Sequence, residues 1–186
     1  MDNTSTSSAR YARGSVILHW LIALLIVLNF VAAWVSEDMP KEQAGMIMGN
    51  HKAIGITVLL LTVLRVIWRL MHKAPPLADT LASWEVALSK VTHLLLYVLM
   101  LGIPMSGWLM HSAYTGGQPV SWFGLFNWPG LPLVQDKATA HSFGEGHEVM
   151  ATAMLVLLAL HVAGALKHRI VDKDRNALLR MSLRKG

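Results

Sequence analysis

Four apolar stretches partition this 186-residue chain, at 16–35, 48–70, 86–110 and 146–167. Each reaches the ~20 residues that a helix needs to cross a hydrocarbon core. Lipid offers no partner for an unpaired backbone group, so apolar runs of this length are expected as helices. The expected fold is therefore all-α, a membrane four-helix bundle in a single domain spanning 1–186. Composition agrees: the hydrophobic fraction is 54% and the mean hydropathy +0.45, high for a soluble domain. The seven tryptophans (Trp20, Trp34, Trp68, Trp84, Trp108, Trp122 and Trp128) fall in connections or near span ends, as an interfacial belt would. The first stretch is longer than the 7–15 residue apolar core of a signal peptide and holds His19, so it is expected to be retained as an anchor.

Charge orients the bundle. If residues 1–13, the connection after Leu70 and the tail 168–186 share one side, that side, with Arg65, Arg69, Lys90 and Lys167 at the adjoining span ends, collects thirteen of the sixteen lysines and arginines. Lys41, Lys52 and Lys137 are left for the other. Under the positive-inside rule both termini are expected in the cytoplasm, with 112–145 as a periplasmic loop. The implied location is the bacterial inner membrane. The basic pI of about 9.7 is then topological, with the tail Arg180–Lys185 near anionic lipid, and it gives no ground for nucleic-acid binding. The aromatic run 119–130 in the long loop is expected to lie on the membrane surface. No residue is cysteine, which excludes disulfides, iron–sulfur clusters and covalently attached haem.

Histidines then supply the chemistry. Alternating spans put His19 and His161 at one depth, and His51 and His147 at the other. Ionisable groups inside membrane spans are rare and usually functional. His147 and His161 are 14 residues apart, which returns them to within roughly 40° of one helix face and separates them by about 21 Å along it. Two facing imidazoles at each of two levels form a ligand set for two stacked b-type haems: His19 and His161 for the inner iron, His51 and His147 for the outer. Bis-imidazole ligation leaves no open axial position, which favours electron transfer over oxygen activation. On the second span Arg65 and Arg69 follow His51 by 14 and 18 residues, and their forked guanidiniums suit haem propionates; the plainer alternative is that they snorkel to the interface. His168 lies one heptad beyond His161; with Lys167 beside it and His93 at similar depth, it is a candidate for a quinone headgroup. His72, His111 and His141 border the connections and are expected to be solvated. Pro104 should kink the third helix.

These residues resemble a known family. The segments Leu18-His19-Trp20, Asn50-His51-Lys52-Ala53-Ile54-Gly55, Leu64-Arg65-Val66-Ile67-Trp68-Arg69, Gly146-His147-Glu148 and His161 through His168 are similar to those of the bacterial cytochrome b561 proteins, over about 11–181. The stretch Gly117–Phe126 resembles one branch of that family. The resemblance implies a four-helix di-haem cytochrome that passes electrons between a periplasmic reactant and the ubiquinone pool. It carries over the same four ligands, His19, His51, His147 and His161.

Three function classes follow. One is a superoxide:ubiquinone oxidoreductase, in which Lys52, beside His51, steers the anion. The second is a cytochrome b subunit serving a periplasmic redox protein. The third, a transporter of divalent metal, wants intramembrane carboxylates, of which the spans hold almost none. Superoxide steering needs exposed cations, yet Lys41, Lys52 and Lys137 are outnumbered on that side by Glu37, Asp38, Glu42, Asp136, Glu145 and Glu148. Membrane lipid surrounds the bundle in each case, and a homodimer is compatible with all three.

Overall fold

The computed structural model describes residues 11–72 and 82–171. The lead 1–10, Lys73 in the connection and the basic tail, with Lys173, Arg175 and Arg180–Lys185, lie outside the described residues. Four helices dominate: α1 (Arg13–Glu37), α2 (Lys41–Met71), α3 (Ser83–Thr115) and α4 (Lys137–Ile170). Leucine, valine and isoleucine cover their outer faces; Leu24, Val27, Leu60, Leu94, Val98 and Leu160 are exposed. The buried set is small: Val16, Ile22, Ala53, Ile56, Val58, Leu96 and Met154 are its main apolar members. An apolar exterior around a thin core is stable in lipid and not in water.

The helices run longer than the apolar stretches. At 31 to 34 residues, α2, α3 and α4 extend to about 50 Å, beyond a hydrocarbon core of about 30 Å. Their polar end turns carry no hydropathy signal, so the helices extend beyond the expected spans at their ends. The expected loop 112–145 is corrected accordingly. Its first residues complete α3, which stops at Gly116 in a left-handed conformation (φ 68°), and its last belong to α4. Asp136 caps α4 by accepting from the amides of Ala138 (3.1 Å) and Thr139 (3.3 Å). His141 accordingly lies on α4 rather than at a loop edge, and Pro104 sits within a continuous α3.

Between α3 and α4 the chain forms an antiparallel hairpin, β1 (Val120–Trp122) with β2 (Phe126–Trp128), paired Val120 to Trp128 and Trp122 to Phe126. Left-handed φ values of 50° at Phe123 and 74° at Gly124 close its turn. The run 119–130 was expected on the membrane surface; its hairpin instead packs against α2. The Trp122 indole donates to the Thr57 hydroxyl at 3.1 Å, and the Trp108 indole to the Pro129 carbonyl at 3.0 Å. Thr57 is six residues beyond His51, about 9 Å farther along α2. The hairpin therefore descends alongside α2 and α3, and Trp122 leaves the belt in which it was expected. Backbone at this depth is tolerated where protein covers it.

Consecutive helices pack on one another: α1 on α2, α2 on α3, α3 on α4. Among the described residues, the backbone of α4 touches neither α1 nor α2. That seam is where the histidines meet.

Candidate functional site

Two imidazole pairs bridge the seam, both using α4. At the hairpin end His51 of α2 faces His147, with ring centres 6.2 Å apart. At the opposite, basal end, where α1 starts and α4 finishes, His19 of α1 faces His161 at 6.3 Å. A metal–imidazole bond is about 2 Å and the ring centre lies about 1 Å behind its nitrogen, so a metal between two rings sets their centres about 6 Å apart. Both pairs have that spacing.

The surroundings of the hairpin-end pair dictate its tautomers. Nδ1 of His51 lies 3.1 Å from the Asn29 carbonyl, and Nδ1 of His147 lies 3.0 Å from that of Ile103. A carbonyl only accepts, so each Nδ1 carries the proton and each Nε2 is left as a ligand. Ser106, nearly buried, places its hydroxyl 3.1 Å from the same His147 nitrogen. Gly107 gives the ring its place: a Cβ there would lie 3.3 Å from Cε1 of His147. The pair borders a cavity of about 1160 Å³, whose lining includes Asn29, Lys52, Gly55, His111 and Glu148. That volume exceeds the roughly 300–1,000 Å³ of ordinary ligand pockets. Asn29 Oδ1 is buried in its wall without a partner, as expected of a wall that a bound group completes. Lys52, the expected anion-steering residue, lies beside His111, with Nζ 3.5 Å from Nδ1. His111 is therefore part of this site rather than a solvated border residue.

The basal pair sits in a different setting. The Arg65 guanidinium is 3.0 Å from Nδ1 of His19, and its Nε donates to the Tyr97 hydroxyl at 3.0 Å. The Tyr97 ring also carries Arg65 and Arg69, at 5.8 and 5.9 Å from its centre. His93 meets His161 edge-on, ring centres 5.2 Å apart, with Nδ1 on the Ser89 carbonyl. Beyond this level Lys167 pairs with Glu85 at the start of α3, and His168 interacts with the same carboxylate. His72 stacks on Trp68, ring centres 4.2 Å apart.

Sequence reasoning missed Tyr97, Glu85, Asn29 and Ser106. Tyr97 could have been found, since it lies one turn beyond His93 on the same helix. The other three act through contacts between helices that no local pattern marks.

Comparison with known proteins agrees with this architecture. The sequence profile described as prokaryotic cytochrome b561 matches residues 10–182. The chain belongs to that family. It is 33% identical to cytochrome b561 homolog 2 of Escherichia coli (strain K12), over 94% of this chain and 92% of that protein. It is 30% identical to cytochrome b562 of Cereibacter sphaeroides, over 95% and 97% respectively. Cytochrome b561 homolog 1 of E. coli is 27% identical over 95% and 98%. This cytochrome b561 family chain is thus a multi-pass haem protein of the bacterial inner membrane, with b-type haem and electron transport implied by the family.

Proposed function

We propose that this cytochrome holds two b-type haems and carries electrons across the membrane, from a reactant at the hairpin face to ubiquinone at the basal face. The observation that carries the reading is the pair of facing imidazoles at each of two levels, at 6.2 and 6.3 Å. His51 and His147 would hold one iron, His19 and His161 the other. Bound there, haem would supply a one-electron carrier. The chain's own residues do the rest. The carbonyls of Asn29 and Ile103 fix the ligand tautomers at one level; Arg65 and Arg69 offer forks for carboxylate edges at the other.

Among the described residues, Arg13, Arg65, Arg69, Lys90, Lys167 and Arg169 lie toward the basal end and Lys41, Lys52 and Lys137 toward the hairpin end, which supports a cytoplasmic location for both termini. Quinone reduction would then take place at that end, near His168 and His93. An imidazole can donate to a quinone carbonyl and pass on a proton. Lys167 is engaged by Glu85, so it acts by positioning α4 against α3.

At the hairpin face Lys52 and His111 could draw in a small anion such as superoxide. A second reading, a periplasmic redox protein as electron donor, is favoured by Glu37, Glu145 and Glu148 in the same cavity lining, which suit a basic partner and repel an anion. Stopped-flow mixing of the purified protein with superoxide, with and without ubiquinone, separates the two. Rapid haem reduction that quinone then reverses supports the enzyme. An absorbance that superoxide leaves unchanged supports the partner-driven cytochrome. In His168→Ala, reoxidation by ubiquinone slows at least tenfold with both haem spectra intact; an unchanged rate moves the quinone site toward His93.

A further inference from the structure

Lys52, the residue after His51, is half-buried in the wall of the hairpin-end cavity. A lysine near a membrane surface normally runs its stem outward and leaves its ammonium in water. Here the ammonium turns onto α3 instead, 3.5 Å from Nδ1 of His111. Among the described residues no carboxylate forms an ion pair with it. Glu37, Glu145 and Glu148 line the same cavity, and Glu145 pairs with His141. An ammonium drawn out of water without a counter-charge is costly, and lysines are seldom buried unless paired.

The same contact fixes the His111 ring. An ammonium only donates, so Nδ1 accepts and the ring proton sits on Nε2. That nitrogen is buried and has no hydrogen-bond partner, although the Gln118 and Pro119 carbonyls stand near the ring. A buried N–H group normally has an acceptor. His111 also continues a stripe on α3. Ile103, Gly107 and His111 are spaced by four residues, so they share one face, and all three line the cavity. Ile103 and Gly107 meet His147; His111 lies one turn, about 6 Å, farther toward the hairpin end. The two donors therefore stand on the outer side of the imidazole pair.

We infer that Lys52 and His111 together hold a propionate of the haem ligated by His51 and His147, the ammonium and the Nε2–H both donating to its carboxylate. This inference rests on the two-haem reading. Haem carries its propionates on one edge, and a charged edge is most stable toward water, the side on which the two donors lie. One carboxylate supplies both the counter-charge that Lys52 lacks and the acceptor that His111 lacks. Hydrogen bonds to an ionised acceptor are roughly twice as strong as neutral ones. The pair also tells the two edges of the macrocycle apart, so it sets which way round haem is seated. A carboxylate held there neutralises the cation that superoxide would need, which sides with a protein donor at this face.

Redox-difference infrared spectroscopy of the purified full chain tests it, with haem isotope-labelled at its propionate carboxyls and haem content counted for every variant. Two backgrounds separate the sites: His161→Ala is expected to keep the hairpin-end haem, His147→Ala the basal one. In His161→Ala, Lys52→Met and His111→Leu should each shift the labelled carboxylate bands, and Lys52→Arg should hold them near their original place. Lys52→Met and His111→Leu should also speed haem release into an apo-globin trap at least about tenfold, the loss expected of one hydrogen bond to a charged group. In His147→Ala the same substitutions should leave the bands unmoved. Bands that stay in place in either variant with its haem retained, or equal shifts in both backgrounds, overturn the inference. If one variant loses its haem, the other decides. Slower reduction by superoxide in Lys52→Met with unmoved bands overturns it too, and gives the lysine to the small anion. Failure of the ligand reading is separately visible: His147→Ala and His161→Ala would both retain the wild-type haem count.

Discussion

The smallest residue at the site has one of the clearest roles. Gly107 lets the His147 ring lie against α3, where Ile103 and Ser106 hold its nitrogen. A methyl group at 107 would press on Cε1 at 3.3 Å, and the ring would have to yield by a few tenths of an ångström. Gly107→Ala is therefore expected to weaken haem retention at the hairpin end while sparing the basal site. Loss of an orienting partner to a metal-bound histidine typically costs 10–100-fold in metal affinity, and haem content after dilution into an apo-globin trap measures it. Equal retention at both sites would show that the ring has slack. The pairing of His19 with His161 and of His51 with His147 was legible in the sequence, because helical rise and alternating spans convert residue numbers into depth. Their supports were not. Asn29 and Ile103 act through backbone carbonyls, which any residue supplies, and Tyr97 reaches Arg65 across 32 residues.

At the scale of elements, hydropathy found four helices and underestimated the length of each, since their end turns are polar. It also took the aromatic segment 119–130 for a surface loop. Three-residue strands leave too short an alternation to read, and nothing local announces that Trp122 will bond Thr57. Trp122→Phe should remove that bond, at a net cost of about 1 kcal/mol, and let the hairpin open. Faster haem reduction by dithionite at the hairpin end would show it; an unchanged rate would mean that packing alone holds the hairpin down. Asp136 starts α4. Its carboxyl is held below the usual carboxylate range by the Thr139 hydroxyl, then by the amides of Ala138 and Thr139. A depressed pKa in the folded state means that the cap contributes at neutral pH and is lost as pH falls through the folded value. Amide exchange at Ala138 and Thr139, corrected for intrinsic pH dependence, should accelerate only on strong acidification, and at all pH values in Asp136→Ala.

For the whole molecule, the proposed orientation rests on charge and the site on the seam. A periplasm-dependent reporter fused after Gly186 should be inactive, and one inserted at Gly116–Gly117 active; the opposite result would invert the assignment of faces. Helices α1 to α4 pack only on their neighbours in sequence, so α4 meets α1 and α2 through imidazoles rather than backbone. Metal ligation should then help to hold the bundle closed, and haem-free protein should melt at lower temperature. The most direct test of the central claim is the haem count by pyridine haemochrome. Two haems b per chain are expected, falling to one in His147→Ala and one in His161→Ala, with the remaining haem differing in spectrum between the two variants. One haem per wild-type chain, or two retained in either variant, would contradict the account.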